Sequence, residues 1–241
     1  LDAAPSPYHA VAETRRRLEA AGYEPLDLAT AWPSSPGQYL VTRGGALIAW
    51  EVPPETVAEQ RFRLVGAHTD SPGLRIKPKP NVGSVGWQQL AVEVYGGALW
   101  NTWLDRDLGL SGRVVVQGGD ARLLRDDRPL LRVPQLAVHL DRDVNGIGLK
   151  LNPQQHLTPV WGIGPVDAHA FEEYLGEQLS VPAAEIVSWD VMVHDLTSAA
   201  LIGRNQELLS SARLDNLLSC WAATDALITS GDPAPGGPVS V

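Results

Sequence analysis

The feature that most constrains this chain is the stretch Val65-Gly66-Ala67-His68-Thr69-Asp70-Ser71-Pro72. The residues leading into it, from Arg61 through Phe62, Leu64 and Val65 to Ala67, read as a strand, and its apolar run suits a central strand better than an exposed one. That strand runs directly into a histidine and a carboxylate two positions apart. In extended backbone, residues i and i+2 point to the same side. His68 and Asp70 are therefore expected to face one cavity at the strand end, with Pro72-Gly73 turning the chain away. Open α/β sheets bind their ligands beyond the carboxyl ends of strands. A neutral imidazole is a common metal ligand, and a neighbouring carboxylate can fix its tautomer. A His-x-Asp pair is short, however, and most such pairs are turn or hydrogen-bonding residues.

The elements around it alternate in type. Ser6-Pro7 marks a helix start, with Ser6 as N-cap and Pro7 in the first helical position, and Gly22 closes that helix. Trp32-Pro33-Ser34-Ser35-Pro36-Gly37 is a turn-rich connection, and the apolar runs on either side of Gly44-Gly45 predict a β-hairpin ended by Pro53-Pro54. After Lys77-Pro78-Lys79-Pro80 the texture changes. Short strands are predicted over 89–94, 112–117, 122–124 and 136–140, separated by glycines and charges, with no useful helical period between Trp87 and Trp161. Strands in succession favour a sheet of their own, so this region reads as an all-β insertion within an α/β domain. A helix is predicted over 168–179, a strand over 186–193, and a strong helix over 215–228 with an apolar stripe of Leu217, Leu218, Trp221, Ala222 and Leu227. Residues 231–238 read as a loop, and Val239-Ser240-Val241 as the opening of another strand. The expected organisation is a catalytic α/β domain at 1–80, the insertion at 81–180, and a second part of the α/β domain at 181–241.

Composition narrows the chemistry. The net charge of −9 over 241 residues argues against nucleic acid or an anionic membrane as the main partner. No apolar run is long enough to span a bilayer, and no secretory leader is visible at Leu1-Asp2-Ala3. With one cysteine, Cys220, an intrachain disulfide and a cysteine-rich zinc site are both excluded, which fits a reducing, cytoplasmic setting. Cys220 itself reads as a packing residue on a helix face. Any metal must then be held by histidines and carboxylates. Arg213-Leu214-Asp215-Asn216 supplies a second candidate: Asp215 stands where a loop becomes a helix, a position that suits a helix cap and equally a carboxylate bridging two metal ions. His68, Asp70 and Asp215 form a ligand palette suited to hydrolytic zinc, cobalt or manganese, yet a catalytic zinc takes about three protein ligands, so ligands are missing. No Gly-x-Ser-x-Gly elbow supports serine catalysis, and no Walker or dinucleotide pattern supports phosphate binding. His139 reads as a structural residue in a strand, and His194-Asp195, at a strand end where it could mimic a metal pair, reads as a turn.

The motifs together resemble a known family. Gly66-Ala67-His68-Thr69-Asp70-Ser71-Pro72, with Leu74-Arg75-Ile76-Lys77 after it, is similar to the first metal motif of the M18 metallo-aminopeptidases, the aspartyl aminopeptidases and their relatives. Ser6-Pro7-Tyr8-His9-Ala10-Val11, Tyr95-Gly96-Gly97, Trp103-Leu104-Asp105-Arg106-Asp107-Leu108, Pro134-Gln135-Leu136-Ala137-Val138-His139-Leu140 and Arg213-Leu214-Asp215-Asn216 continue the likeness in family order.

The resemblance implies an α/β fold: a zinc-exopeptidase-like mixed sheet with flanking helices, interrupted by an inserted β-rich dimerisation domain. It implies two divalent metal ions, zinc before cobalt or manganese, peptide substrates with a free N-terminus, and a tetrahedral dodecamer built from dimers. On the matching positions, His68 would be a terminal metal ligand, Asp215 the bridging carboxylate, and Asp70 the carboxylate that orients the site. His139, with His156 as runner-up, would reach a neighbouring subunit's active site. The family's catalytic glutamate and its remaining ligands are expected after Val241, so the 241 residues are expected to be inactive alone. The rival expectation is a non-catalytic fragment or assembly subunit of a peptidase shell.

Overall fold

The computed structural model describes residues 1–54, 61–230 and 239–241; the loop expected at 231–238 lies outside them. In chain order the elements begin with helix α1 (Pro7–Ala20) and strands β1 (Glu24–Pro25), β2 (Gly37–Arg43), β3 (Ala46–Val52) and β4 (Phe62–Arg63). There follow β5 (Gly73–Ser84), β6 (Trp87–Tyr95), β7 (Leu108–Val116), β8 (Ala121–Leu131), the short helix α2 (Val144–Ile147) and β9 (Val160–Ile163). The chain continues through α3 (Ala170–Leu179), β10 (Ile186–Asp195), β11 (Ala200–Ile202), β12 (Leu208–Ser210), α4 (Leu214–Thr229) and β13 (Val239–Ser240).

Two compact units share these elements, one of residues 1–71 and 199–241, the other of residues 72–198. The texture reading puts the changes of organisation at 80/81 and 180/181. The run Lys77-Pro78-Lys79-Pro80 falls inside β5, at a register shift between Ile76 and Asn81, where prolines without an N–H interrupt a ladder at least cost. Local composition marks that irregularity, while β5 begins at Gly73.

The first unit holds a mixed five-stranded sheet, ordered β1-β2-β3-β13-β4. β2 and β3 form the expected hairpin, Arg43 opposite Ala46, with Gly44 at φ 58° in the turn. Helix α1 packs on β2 and β3, where Leu18, Tyr23, Leu40 and Ala49 form a small core joined by Leu227 of α4. Ser6 does precede Pro7 at the helix start, but its hydroxyl hydrogen-bonds the buried His9 ring at 2.7 Å and caps no backbone N–H. The expectation of a buried central strand before His68 is corrected. Regular pairing of β4 covers Phe62 and Arg63 only, at the sheet edge, and Phe62, Leu64 and Val65 are 64, 72 and 68% exposed. An apolar run signals a strand that needs cover, and periodicity cannot say what supplies it. The stripe on α4 is likewise only partly covered: Leu217 is buried, Leu218 and Trp221 are exposed.

The second unit is an antiparallel six-stranded sheet, ordered β8-β7-β10-β5-β6-β9. Helix α3 contacts β5, β8 and β10 and inserts Phe171 among Tyr174, Trp161 and Trp189. A side chain at Gly112 would collide with the Asp190 carbonyl, so glycine permits the close approach of β7 and β10. Two local expectations are corrected. Residues 136–140 form no strand, and Val138, His139 and Leu140 sit in a turn in which the Leu140 N–H donates to the Ala137 carbonyl at 2.8 Å. Alternation of Leu136, Val138 and Leu140 reports a shared face and not a pairing neighbour. His194-Asp195 is no turn but the end of β10, paired with Gly109 and Leu108. No helix of the described residues is long and apolar enough to cross a membrane.

Candidate metal site

His68, Asp70 and Asp215 converge within the first unit. Beyond β4 the Val65 N–H still donates to the Val241 carbonyl at 3.0 Å, after which side chains take over the positioning of the chain. The His68 N–H donates to Asn216 Oδ1 at 3.3 Å, and the His68 carbonyl accepts from the Cys220 thiol at 3.2 Å. Thr69 donates its hydroxyl to the Gly45 carbonyl at 2.6 Å, which ties the segment to the hairpin turn. Ser71 donates to the Asp215 carbonyl at 3.4 Å.

The side chains follow from that backbone. His68 Nδ1 lies 3.0 Å from the Asp70 carbonyl oxygen and 3.4 Å from Asp70 Oδ1. Two acceptors beside Nδ1 place the ring proton there and leave the Nε2 lone pair free to bind a metal. Nε2 stands 3.3 Å from Asp215 Oδ1. Asp215 and Asn216 have non-helical backbones (φ −88°, ψ 110° and φ −118°, ψ 18°), no side chain caps the start of α4, and the hydrogen bond at Asp215 Oδ1 comes from the Asn216 carboxamide. The Asp215 carboxylate is 89% exposed, so both oxygens are presented outward.

This donor pair fits zinc. Bonds of about 2.0–2.1 Å at a tetrahedral centre set two ligand atoms about 3.3 Å apart, the separation found between His68 Nε2 and Asp215 Oδ1. Among the described residues no three His, Cys, Asp or Glu side chains gather as a metal site.

Other candidates lie elsewhere. His139 is exposed in its turn, and His156 is exposed with Nδ1 accepting the Asn152 N–H at 3.0 Å; both belong to the second unit. His194 is buried, its Nε2 3.0 Å from Asp127 Oδ1. Sequence reasoning passed over Asn216 and treated Cys220 as packing. Cys220 is half-buried, and burial, with the Asp70 charge adding to it, pushes its thiol up. The signal for Asn216 was its place beside Asp215 in the motif.

The profile of the family described as Aminopeptidase I zinc metalloprotease (M18) matches residues 1–235. The chain belongs to the M18 family. A probable M18 family aminopeptidase 2 of Streptomyces avermitilis is 53% identical over 228 residues, 94% of this chain and 53% of its own length. In the cryo-EM structure of the Ape4 and Nbr1 complex, one chain superposes with a TM-score of 0.91 at 32% identity, covering 99% of this chain and 51% of that one. The Saccharomyces cerevisiae mApe1 dodecamer shares the fold, with a TM-score of 0.82 at 22% identity over 99% of this chain and 57% of its own. The chain thus spans about half the length of the M18 relatives it matches.

Proposed function

We propose that these residues form part of a zinc-dependent aminopeptidase, in which His68 is a terminal ligand, Asp215 bridges two zinc ions, and Asp70 orients His68. The observation that carries this reading is the 3.3 Å separation of His68 Nε2 and Asp215 Oδ1, with the Asp70 carbonyl oxygen 3.0 Å and its carboxylate 3.4 Å from the opposite ring nitrogen. Bound zinc supplies a Lewis acid for the scissile carbonyl and lowers the pKa of its water. The protein's part is to keep the imidazole in one tautomer and to present both oxygens of an exposed carboxylate. Cobalt or manganese would suit the same donors.

The general-base glutamate and the other ligands are assigned to sequence after Val241, so the 241 residues alone should be inactive. The exposed apolar faces of β4 and α4 fit a sheet that continues in a longer chain. Substrates are peptides with a free N-terminus, acidic first residues among them. His139, or failing it His156, would contribute in trans within a cytoplasmic homo-oligomer, a tetrahedral dodecamer built from dimers; a dodecamer is what is named for the yeast neighbour.

In the full-length protein, His68→Ala and Asp215→Ala should each lower bound zinc and abolish release of N-terminal residues from aminoacyl anilides. Retained zinc with normal turnover in Asp215→Ala would refute the assignment. The non-catalytic alternative draws on the missing third ligand among the described residues. Metal-free, inert particles of the full-length protein would favour it, and zinc with amino-acid release would exclude it.

A further inference from the structure

We infer that Asn216 and Cys220 form a two-point clamp on the His68 backbone, and that this clamp sets the distance between the His68 imidazole and the Asp215 carboxylate. The inference rests on the zinc reading of that pair. His68 lies past the last paired residue of β4, where its backbone groups leave the sheet ladder. Both are taken up by side chains from the start of α4: the Asn216 carboxamide oxygen accepts the N–H at 3.3 Å, and the Cys220 thiol donates to the carbonyl at 3.2 Å. One side chain thus holds the peptide that enters His68 and the other the peptide that leaves it.

Asn216 does more than hold His68. Its Nδ2 donates to Asp215 Oδ1 at 3.4 Å. One carboxamide therefore accepts from the backbone of one proposed ligand and donates to the carboxylate of the other. Among side chains of this length only asparagine offers both an acceptor and a donor: aspartate lacks the N–H and leucine lacks both. The imidazole's own contact with Asp70 fixes its tautomer and tilt, but Asp70 is only two residues away on the same segment and cannot reference that segment to α4. Asn216 and Cys220 provide that reference at His68 itself, and Ser71 adds a contact to the Asp215 carbonyl three residues on. Asn216 and Cys220 are positioning residues, touching neither metal nor substrate.

The test uses the full-length protein, with zinc affinity measured by competition against a chromogenic chelator. Hydrogen exchange of the peptide spanning His68 is followed in metal-free protein, and thermal melting controls for folding. Asn216→Ala should weaken zinc binding by roughly 10- to 100-fold, the usual loss when a residue supporting a ligand is removed, and should speed exchange at His68. Cys220→Ala should do the same to a smaller degree, because a thiol is a weak donor, and Cys220→Ser should restore both readouts. His68→Ala separates the two layers of the argument. If it binds zinc like the parent, the zinc reading fails. If it loses zinc while Asn216→Ala and Cys220→Ala keep parental affinity and exchange, the clamp is overturned. Should Asn216→Ala fail to fold, the Cys220 pair decides: parental behaviour of Cys220→Ala overturns the clamp, and rescue by Cys220→Ser upholds it.

Discussion

In the unit of residues 72–198, Phe171, Leu110, Val114 and Val191 belong to one continuous core of a six-stranded sheet and α3, whereas in the unit of residues 1–71 and 199–241 the strand leading to His68 carries Phe62, Leu64 and Val65 into solvent. Among the described residues of the first unit, buried apolar side chains cluster around Leu18, Tyr23, Leu40 and Ala49 and around Ala4, Ala10 and Leu217, both groups small. The chemistry-bearing residues sit in the unit with the thinner core. His68 and Asp215 are placed by side-chain bonds at the ends of elements, where local stability is lowest. Packing therefore shapes the second unit, and hydrogen bonding shapes the site.

The sharpest test of this contrast is Phe171→Ala. It removes a fully buried ring packed on Tyr174, Trp161 and Trp189 and should cost about 3–5 kcal/mol in urea unfolding. In the same 241 residues Phe62→Ala, at an exposed position, should stay within about 0.5 kcal/mol. Similar losses from both would dissolve the distinction.

Next in size is the buried carboxylate of the second unit. The Arg128 guanidinium hydrogen-bonded to Asp126 holds that carboxyl at about 2 against burial, which pushes it up, and Tyr174 donates to it at 2.8 Å. Because the folded value is depressed, the stabilisation is complete above about pH 4 and is lost as pH falls toward about 2. Melting temperatures between pH 2 and 6 should fall at the acid end, and Arg128→Ala should flatten that fall, melting lower than the parent at pH 6 by a difference that shrinks toward pH 2. Tyr174→Phe should cost about 1.5–3 kcal/mol, as for a hydrogen bond to a charged group. An unchanged acid profile in Arg128→Ala would remove Asp126 from the account.

The smallest effect belongs to Glu13 on α1. Its carboxyl is also held at about 2, chiefly by the hydrogen bond from Arg16, with burial opposing and Arg17 assisting. These partners lie on an exposed helix face, so Glu13→Gln should cost no more than about 1 kcal/mol, and the difference should vanish in high salt. A cost equal to that of Tyr174→Phe would mean that burial is not what separates the two carboxylates.

Much of the fold was legible because it is written locally. Ser6-Pro7 starts a helix, Gly44-Gly45 turns a hairpin, and residues 215–228 carry an apolar stripe, since each depends on neighbours a few positions away. The motifs also pointed to the M18 family, to which the chain belongs. Long-range partners were less readable. Leu136, Val138 and Leu140 alternate like a strand yet form none, and the apolar strand before His68 lies at a sheet edge.

The sequence by itself determined the chemistry available: histidine and carboxylates without a thiolate cluster, at a strand end and a helix start. Only the tertiary structure decided that the two places meet. It set His68 Nε2 3.3 Å from Asp215 Oδ1, and it made Asn216, a neighbour of Asp215 in the motif, and Cys220, read from sequence as packing, partners of the His68 backbone. The physical reason is that residue type and period act over a few positions. The distance between residues 68 and 215 is fixed by sheet pairing, packing and hydrogen bonds that join segments far apart in the chain.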